Sequence, residues 1–165
     1  MLFSANSIKW IMRVYPPLLF NGIWIKNISP DFLKAEVKVS KSLLNTNFNG
    51  SIFGGTIYSA ADPFYSILIW GIFSIRGYKV RVWLKSAQIH FLKPARSTLF
   101  LNFELSSDEV QNAVYELNQI GKYIHLFSIE IVDKLGEVYA IMQTEVYAIN
   151  LQTVNNEHKK TDSGR

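Results

Sequence analysis

The stretch NGSIFGGTIYSAADPFYSILIW, Asn49 to Trp70, opens on a glycine pair, runs apolar for most of its length, and carries one acid, Asp62, directly before Pro63. Two readings compete. Asp before Pro is a common helix start, with the carboxylate as N-cap and proline at the first helical position. The other reading is a single helix from about Gly54 to Phe73 that passes through Pro63. That would cost about 3 kcal/mol or more in lost hydrogen bonding and ring crowding, with the expected distortion falling near Ser59. Which is correct decides whether Asp62 merely caps a helix or lies along one.

The flanks read as strands. Upstream, Leu33, Ala35, Val37 and Val39 alternate with Lys34, Glu36 and Lys38, the pattern of a half-buried antiparallel strand. GIWIKNI (22–28) suits a strand before it, and Ser29-Pro30-Asp31 a turn. Downstream, Val80, Val82 and Leu84 share one parity and Ala87, Ile89 and Phe91 the other, which predicts a bulge at Lys85 or Ser86. Leu99 to Leu105 alternates again. Ser106 and Glu109 have capping-box spacing ahead of a short helix. Two further strands flank the turn Asp133-Lys134-Leu135-Gly136. Before all this, Ile8, Ile11, Met12 and Tyr15 predict a short amphipathic helix stopped by Pro16-Pro17. The expectation is α+β: an antiparallel sheet of about six strands with one apolar face, wrapped around the 54–73 helix. Asp62 would then sit near the centre of the molecule. One domain spans residues 1–150, and a disordered polar tail 151–165.

Composition narrows the function classes. With 165 residues, 48% of them hydrophobic, the chain can build one core. It has no cysteine, which excludes disulfides, thiolate metal sites and a cysteine nucleophile, and its histidines (90, 125 and 158) match no metal-ligand spacing. No metal is expected. Lys9 and Arg13 interrupt the apolar N-terminal run, so it does not read as a signal peptide. A cytoplasmic location is the expectation. Residues 63–75 are free of charge, but that is 13 residues where a span needs roughly 20, and a buried helix looks the same. The formal charge of +4 is modest. Nucleic-acid binding is not expected, since no recognition motif accompanies it. Between Arg76 and Arg96, however, lie six basic residues and no acid, either a solvated strand face or a site for a phosphorylated ligand.

Over residues 10–149 the chain resembles a hotdog-fold family of unknown function, similar to acyl-CoA thioesterases of the phenylacetyl-CoA and hydroxybenzoyl-CoA types. The resemblance rests on Arg13-Val14-Tyr15-Pro16-Pro17, Ser29-Pro30-Asp31-Phe32, Asn47 through Gly55, Asp62-Pro63-Phe64-Tyr65 and Ile89 through Pro94. It implies a thioesterase in which Asp62, eight residues after Gly54, is general base or nucleophile. The Gly54 N–H is the implied oxyanion donor at a helix start. Asn47 matches a residue that contacts the thioester carbonyl, and Ser66 one that helps position water. Gly55 lets the substrate approach the backbone. Lys93 and Arg96, with Arg81 and Lys85 behind them, would meet the phosphates of coenzyme A, which enters only as part of the substrate. The partners implied are an acyl-CoA or acyl-carrier thioester and a second copy of the chain, in a homodimer or a tetramer built from two. Acid and oxyanion donor would come from opposite subunits. Phe53 stands where those thioesterases have histidine, which keeps open an alternative: an acyl-CoA or lipid binder without catalysis.

Overall fold

The computed structural model describes residues 3–152. In chain order the elements are α1 (Ala5–Val14), α2 (Pro16–Phe20), β1 (Ile23–Ile28), β2 (Lys34–Val39), α3 (Gly54–Ile75), β3 (Val80–Phe91), β4 (Leu99–Glu104), α4 (Ser107–Ile120), β5 (Lys122–Val132) and β6 (Val138–Asn150). All pairings of the six-stranded sheet are antiparallel, in the order β1-β2-β4-β5-β6-β3. The sheet wraps α3, the architecture the sequence leads one to expect.

Helix α3 is one continuous helix of 22 residues with Pro63 inside it. The single-helix reading of Asp62 is therefore the correct one. What outweighs the proline is burial: Ile57, Ala60, Ala61, Phe64, Leu68, Ile69, Ile72 and Phe73 form an i, i+3, i+4 stripe with at most 3% exposure. At about 1.5–3 kcal/mol for each large side chain, that stripe exceeds the cost of one lost hydrogen bond. Phe64 packs on Phe103 at 5.1 Å between ring centroids, and Tyr65 stacks on Phe127 at 4.3 Å. Asp62 and Ser66 lie off this stripe. The expectation of Asp62 at the molecular centre is corrected: the helical period turns its side chain away from the sheet's concave face, and it is half-buried.

Pro16-Pro17 does end α1, but it also begins α2, because a proline at the first helical position loses no hydrogen bond. The predicted bulge is present: β3 pairs with β6 with a shift between Leu84 and Ser86, which leaves Lys85 unopposed. Ser106 and Glu109 cap α4 reciprocally. In the β1–β2 turn, Phe32 adopts φ +58° and is fully buried. Its ring lies against Gly71 of α3, where a Cβ would overlap it. Of the tail expected from residue 151, Leu151 and Gln152 are helical, with the Leu151 N–H donating to Lys79 O at 2.8 Å, and residues 153–165 lie outside the described residues. Among the described residues, no helix is long and apolar enough to cross a membrane.

Candidate active site

The start of α3 is an open donor site. Its N-cap is Phe53, which offers no side-chain hydrogen bond, so the N–H groups of Gly54 and Gly55 have no acceptor among the described residues. Two anchors fix this end. Phe53 N–H donates to Asn45 O at 2.7 Å, and Thr56 Oγ1 meets Asn21 Oδ1 at 2.7 Å. The 45–53 loop is organised by Asn47, whose Oδ1 accepts from the Asn49 and Ser51 N–H groups at 3.0 and 3.1 Å and from Ser51 Oγ at 3.1 Å. None of these bonds uses the Asn47 amide nitrogen, which is left as a donor. Asn47, Gly54 and Lys93 line one cavity of about 390 Å³, with Phe91 and Pro94 on its rim. The Phe91 ring would lie 3.0 Å from a Cβ on Gly54, and Phe53 folds its ring over Gly55. Only glycine leaves the backbone approachable at both places.

Asp62 lies elsewhere. It shares a cavity of about 430 Å³ with Ser66, one helical turn on, and the remaining lining is aliphatic or aromatic: Met12 and Tyr15 from the α1–α2 corner, Pro63, Ile67 and Trp70 from α3, Val82 and Leu84 from β3. Burial holds the Asp62 carboxyl above the ordinary carboxylate pKa, and no hydrogen bond or cation opposes that shift. The Ser66 hydroxyl is buried and has no hydrogen-bond partner among the described residues. Two unsatisfied polar groups on one helix face, in a cavity otherwise aliphatic or aromatic, are an arrangement packing alone does not call for. Of the aromatic residues near the helix, Phe64, Tyr65 and Phe73 belong to the core, and Trp70 faces this cavity.

Eight residues along α3 amount to about 12 Å of helix rise. Within one chain the Gly54 N–H and the Asp62 carboxylate therefore cannot both reach one carbonyl group. The cations divide as well. Lys93 pairs with Glu137 and lies 4.7 Å from the centroid of the Tyr139 ring, while Arg96 is exposed just beyond it. Arg81 is exposed on β3, away from the Gly54 cavity, and Lys85 is held by Glu145 at 3.2 Å. Two residues of the basic stretch thus meet acids, Glu145 on β6 and Glu137 in the turn before it, which the sequence window of the stretch could not reveal. Also absent from the sequence reading is the role of Arg13. Its Nε donates to Ile25 O at 2.8 Å and its Nη2 to Lys26 O at 3.3 Å. Its guanidinium lies between the rings of Trp10 and Trp24, at 4.5 and 4.4 Å from their centroids. The basic residue and the two tryptophans were visible signals; their convergence depends on β1 lying beside α1.

Solved structures similar to the chain share this fold. A Pseudomonas aeruginosa protein of unknown function, described as a probable thioesterase, superposes with a TM-score of 0.74 at 16% identity, over 91% of this chain and 98% of that one. A Haemophilus influenzae thioesterase gives 0.66 at 14% identity, over 92% and 94%. The E. coli PaaI protein of the phenylacetic acid degradation operon gives 0.58 at 15%, over 88% and 91%. No curated protein matches the chain. The family described as Domain of unknown function (DUF4442) matches residues 5–148; the chain belongs to that family, and its fold is the hotdog fold.

Proposed function

We propose that the protein hydrolyses acyl-CoA or acyl-carrier thioesters at a site completed by two copies of the chain. The observation that carries this reading is the division of α3: free N–H donors at Gly54, and an unpaired, half-buried carboxylate at Asp62 about 12 Å further on. Each is half of a hydrolytic site. The long edge strand β3 has a strand neighbour, β6, on one side only. Pairing it with β3 of a second copy would extend both sheets and bring the Gly54 end of one α3 toward Asp62 of the other.

In this mechanism Asp62 takes a proton from water as the water oxygen adds to the thioester carbonyl. The raised pKa makes it a stronger base than an exposed aspartate. Ser66 orients that water. The oxyanion forms against the Gly54 N–H, and the amide nitrogen of Asn47 contacts the same group; losing a donor of this kind typically costs about 3–4 kcal/mol in the barrier. Collapse breaks the C–S bond, and the proton held by Asp62 passes to the departing thiolate, giving acid and thiol. Alternatively the carboxylate adds to the thioester carbonyl and expels the thiolate, leaving a mixed anhydride that water hydrolyses to the free acid and the Asp62 carboxylate, with the proton released in that step balancing the one the thiolate takes up. In this reading Lys93, on the Gly54 cavity, and Arg96 after it would meet the phosphates of coenzyme A, and Arg81 and Lys85 would do so only from the partner's side.

One observation favours the non-catalytic alternative. The Phe53 ring covers Gly55, where related thioesterases present histidine, so this position adds no polar side chain to the Asn47 and Lys93 of the donor site. A thiol-release assay over a panel of acyl-CoAs separates the two readings, with no background from protein thiols since the chain has no cysteine. Turnover abolished in Asp62→Asn supports hydrolysis. Saturable binding without turnover by the wild type supports the binder.

A further inference from the structure

We infer that the corner between α1 and α2 is the specificity-determining wall of the Asp62 cavity: Met12 and Tyr15 limit the apolar end of the acyl group, and Arg13 holds them there. This rests on the hydrolase reading for its substrate, though not for the wall itself. Asp62 and Ser66 of α3 form the polar end of the cavity, while the Tyr15 phenol stands half-exposed at its mouth. Met12, Ile67, Val82, Leu84 and the ring faces of Tyr15 and Trp70 make up the other sides, so a carboxylate or hydroxyl lodged against them would lose water for little return. The acyl portion that fits against these walls is neutral and apolar.

The walls differ in how they are fixed. Ile67 and Trp70 belong to α3, and Val82 and Leu84 to β3, elements that packing of the core holds in place. Met12 and Tyr15 come from α1 and the turn after it, which lie outside the sheet and α3. Three features make that corner rigid. Arg13 clasps two successive carbonyls of β1 while stacked between two tryptophans. Tyr15 is held extended, φ −65° and ψ 116°, by the proline that follows it. Pro16 and Pro17 then begin α2. The Arg-Val-Tyr-Pro-Pro run is thus a brace for two cavity residues, with Met12 half-buried and Tyr15 at the mouth.

The test compares wild type with Met12→Trp, Met12→Ala, Met12→Leu and Arg13→Lys on straight-chain acyl-CoAs from butyryl to palmitoyl. Calorimetric binding of the matching free fatty acids runs alongside. Met12→Trp should move the kcat/KM maximum and the binding cut-off to shorter chains, by roughly tenfold or more in relative preference between neighbouring members; Met12→Ala should move both to longer chains. Met12→Leu, of similar volume, should keep the wild-type profile. Arg13→Lys keeps the charge but loses the clasp, and should broaden the profile with kcat on the best substrate within a few-fold of wild type. Profiles for Met12→Trp and Met12→Ala that superimpose on wild type after scaling would overturn the inference. If the wild type turns over no acyl-CoA while the fatty-acid cut-off still moves with Met12, the hydrolase reading fails and the wall stands; absence of both turnover and fatty-acid binding would overturn both.

Discussion

Asp62 is a costly residue to fold and a useful one to keep. Its carboxyl is raised above the ordinary pKa by burial alone. The native state therefore holds its proton in a pH range where the unfolded chain has released it, and this contribution to stability is lost as pH rises from the unfolded value through the folded one. At neutral pH the ionised carboxylate opposes folding. Asp62→Asn should accordingly melt at or above the wild-type temperature at neutral pH, with the advantage vanishing in acid, while thioester turnover falls by roughly 10²–10⁴-fold. Thermal melts across pH, set beside the thiol-release assay, check both halves; a variant that loses turnover because it unfolds would contradict this. The spacing of Asp62 from Gly54 was legible in the sequence. The role of Ser29-Pro30-Asp31-Phe32 was not, because it depends on contact with α3. Asp31 Oδ1 accepts from Ser29 Oγ at 2.5 Å and from Leu33 N–H at 3.1 Å, and the turn delivers Phe32 against Gly71. Gly71→Ala gains up to about 1 kcal/mol of helix propensity but must displace that ring, at about 1–3 kcal/mol. We expect net destabilisation by denaturant titration, and a smaller increment from Gly71→Ala when it is measured in a Phe32→Ala background, because the two share one contact.

At the scale of elements, α3 shows why local sequence could not decide between two helices and one. Asp-Pro is a good helix start, and nothing within a few residues argues against it. The decision comes from a stripe spread over the length of the helix and from the sheet that covers it, a tertiary effect of several side chains against one proline. Pro63→Ala should therefore stabilise the fold. The helix recovers up to about 3 kcal/mol from the restored N–H and relieved ring, less about 0.4–1 kcal/mol for the greater freedom of the unfolded chain. Equilibrium unfolding should show a gain of about 2 kcal/mol; a loss would mean that the irregularity at Pro63 is itself needed for packing. The bulge in β3 was readable because side-chain parity is a local property, and a slip in it has one meaning. The pairing of Lys85 with Glu145 across the bulge was not, since the acid is 60 residues away.

For the whole molecule, the sequence supplied the six strands, the central helix and the resemblance that joins them, while the separation of Gly54 and Asp62 into different cavities needed the fold. In the proposed mechanism that separation ties activity to assembly. A proline in the middle of β3, as in Trp83→Pro, should weaken pairing at the free edge and lower both the mass measured by light scattering and the turnover together. The most direct test mixes two inactive chains. Asp62→Asn keeps the Gly54 donors, and Gly54→Val keeps the carboxylate while blocking the start of α3. If the site is made by two copies, co-expression of the two variants yields heterodimers with one intact site each, and random pairing should restore roughly one quarter of wild-type turnover. No activity above that of the separate variants, with heterodimers demonstrably present, would contradict a site divided between subunits.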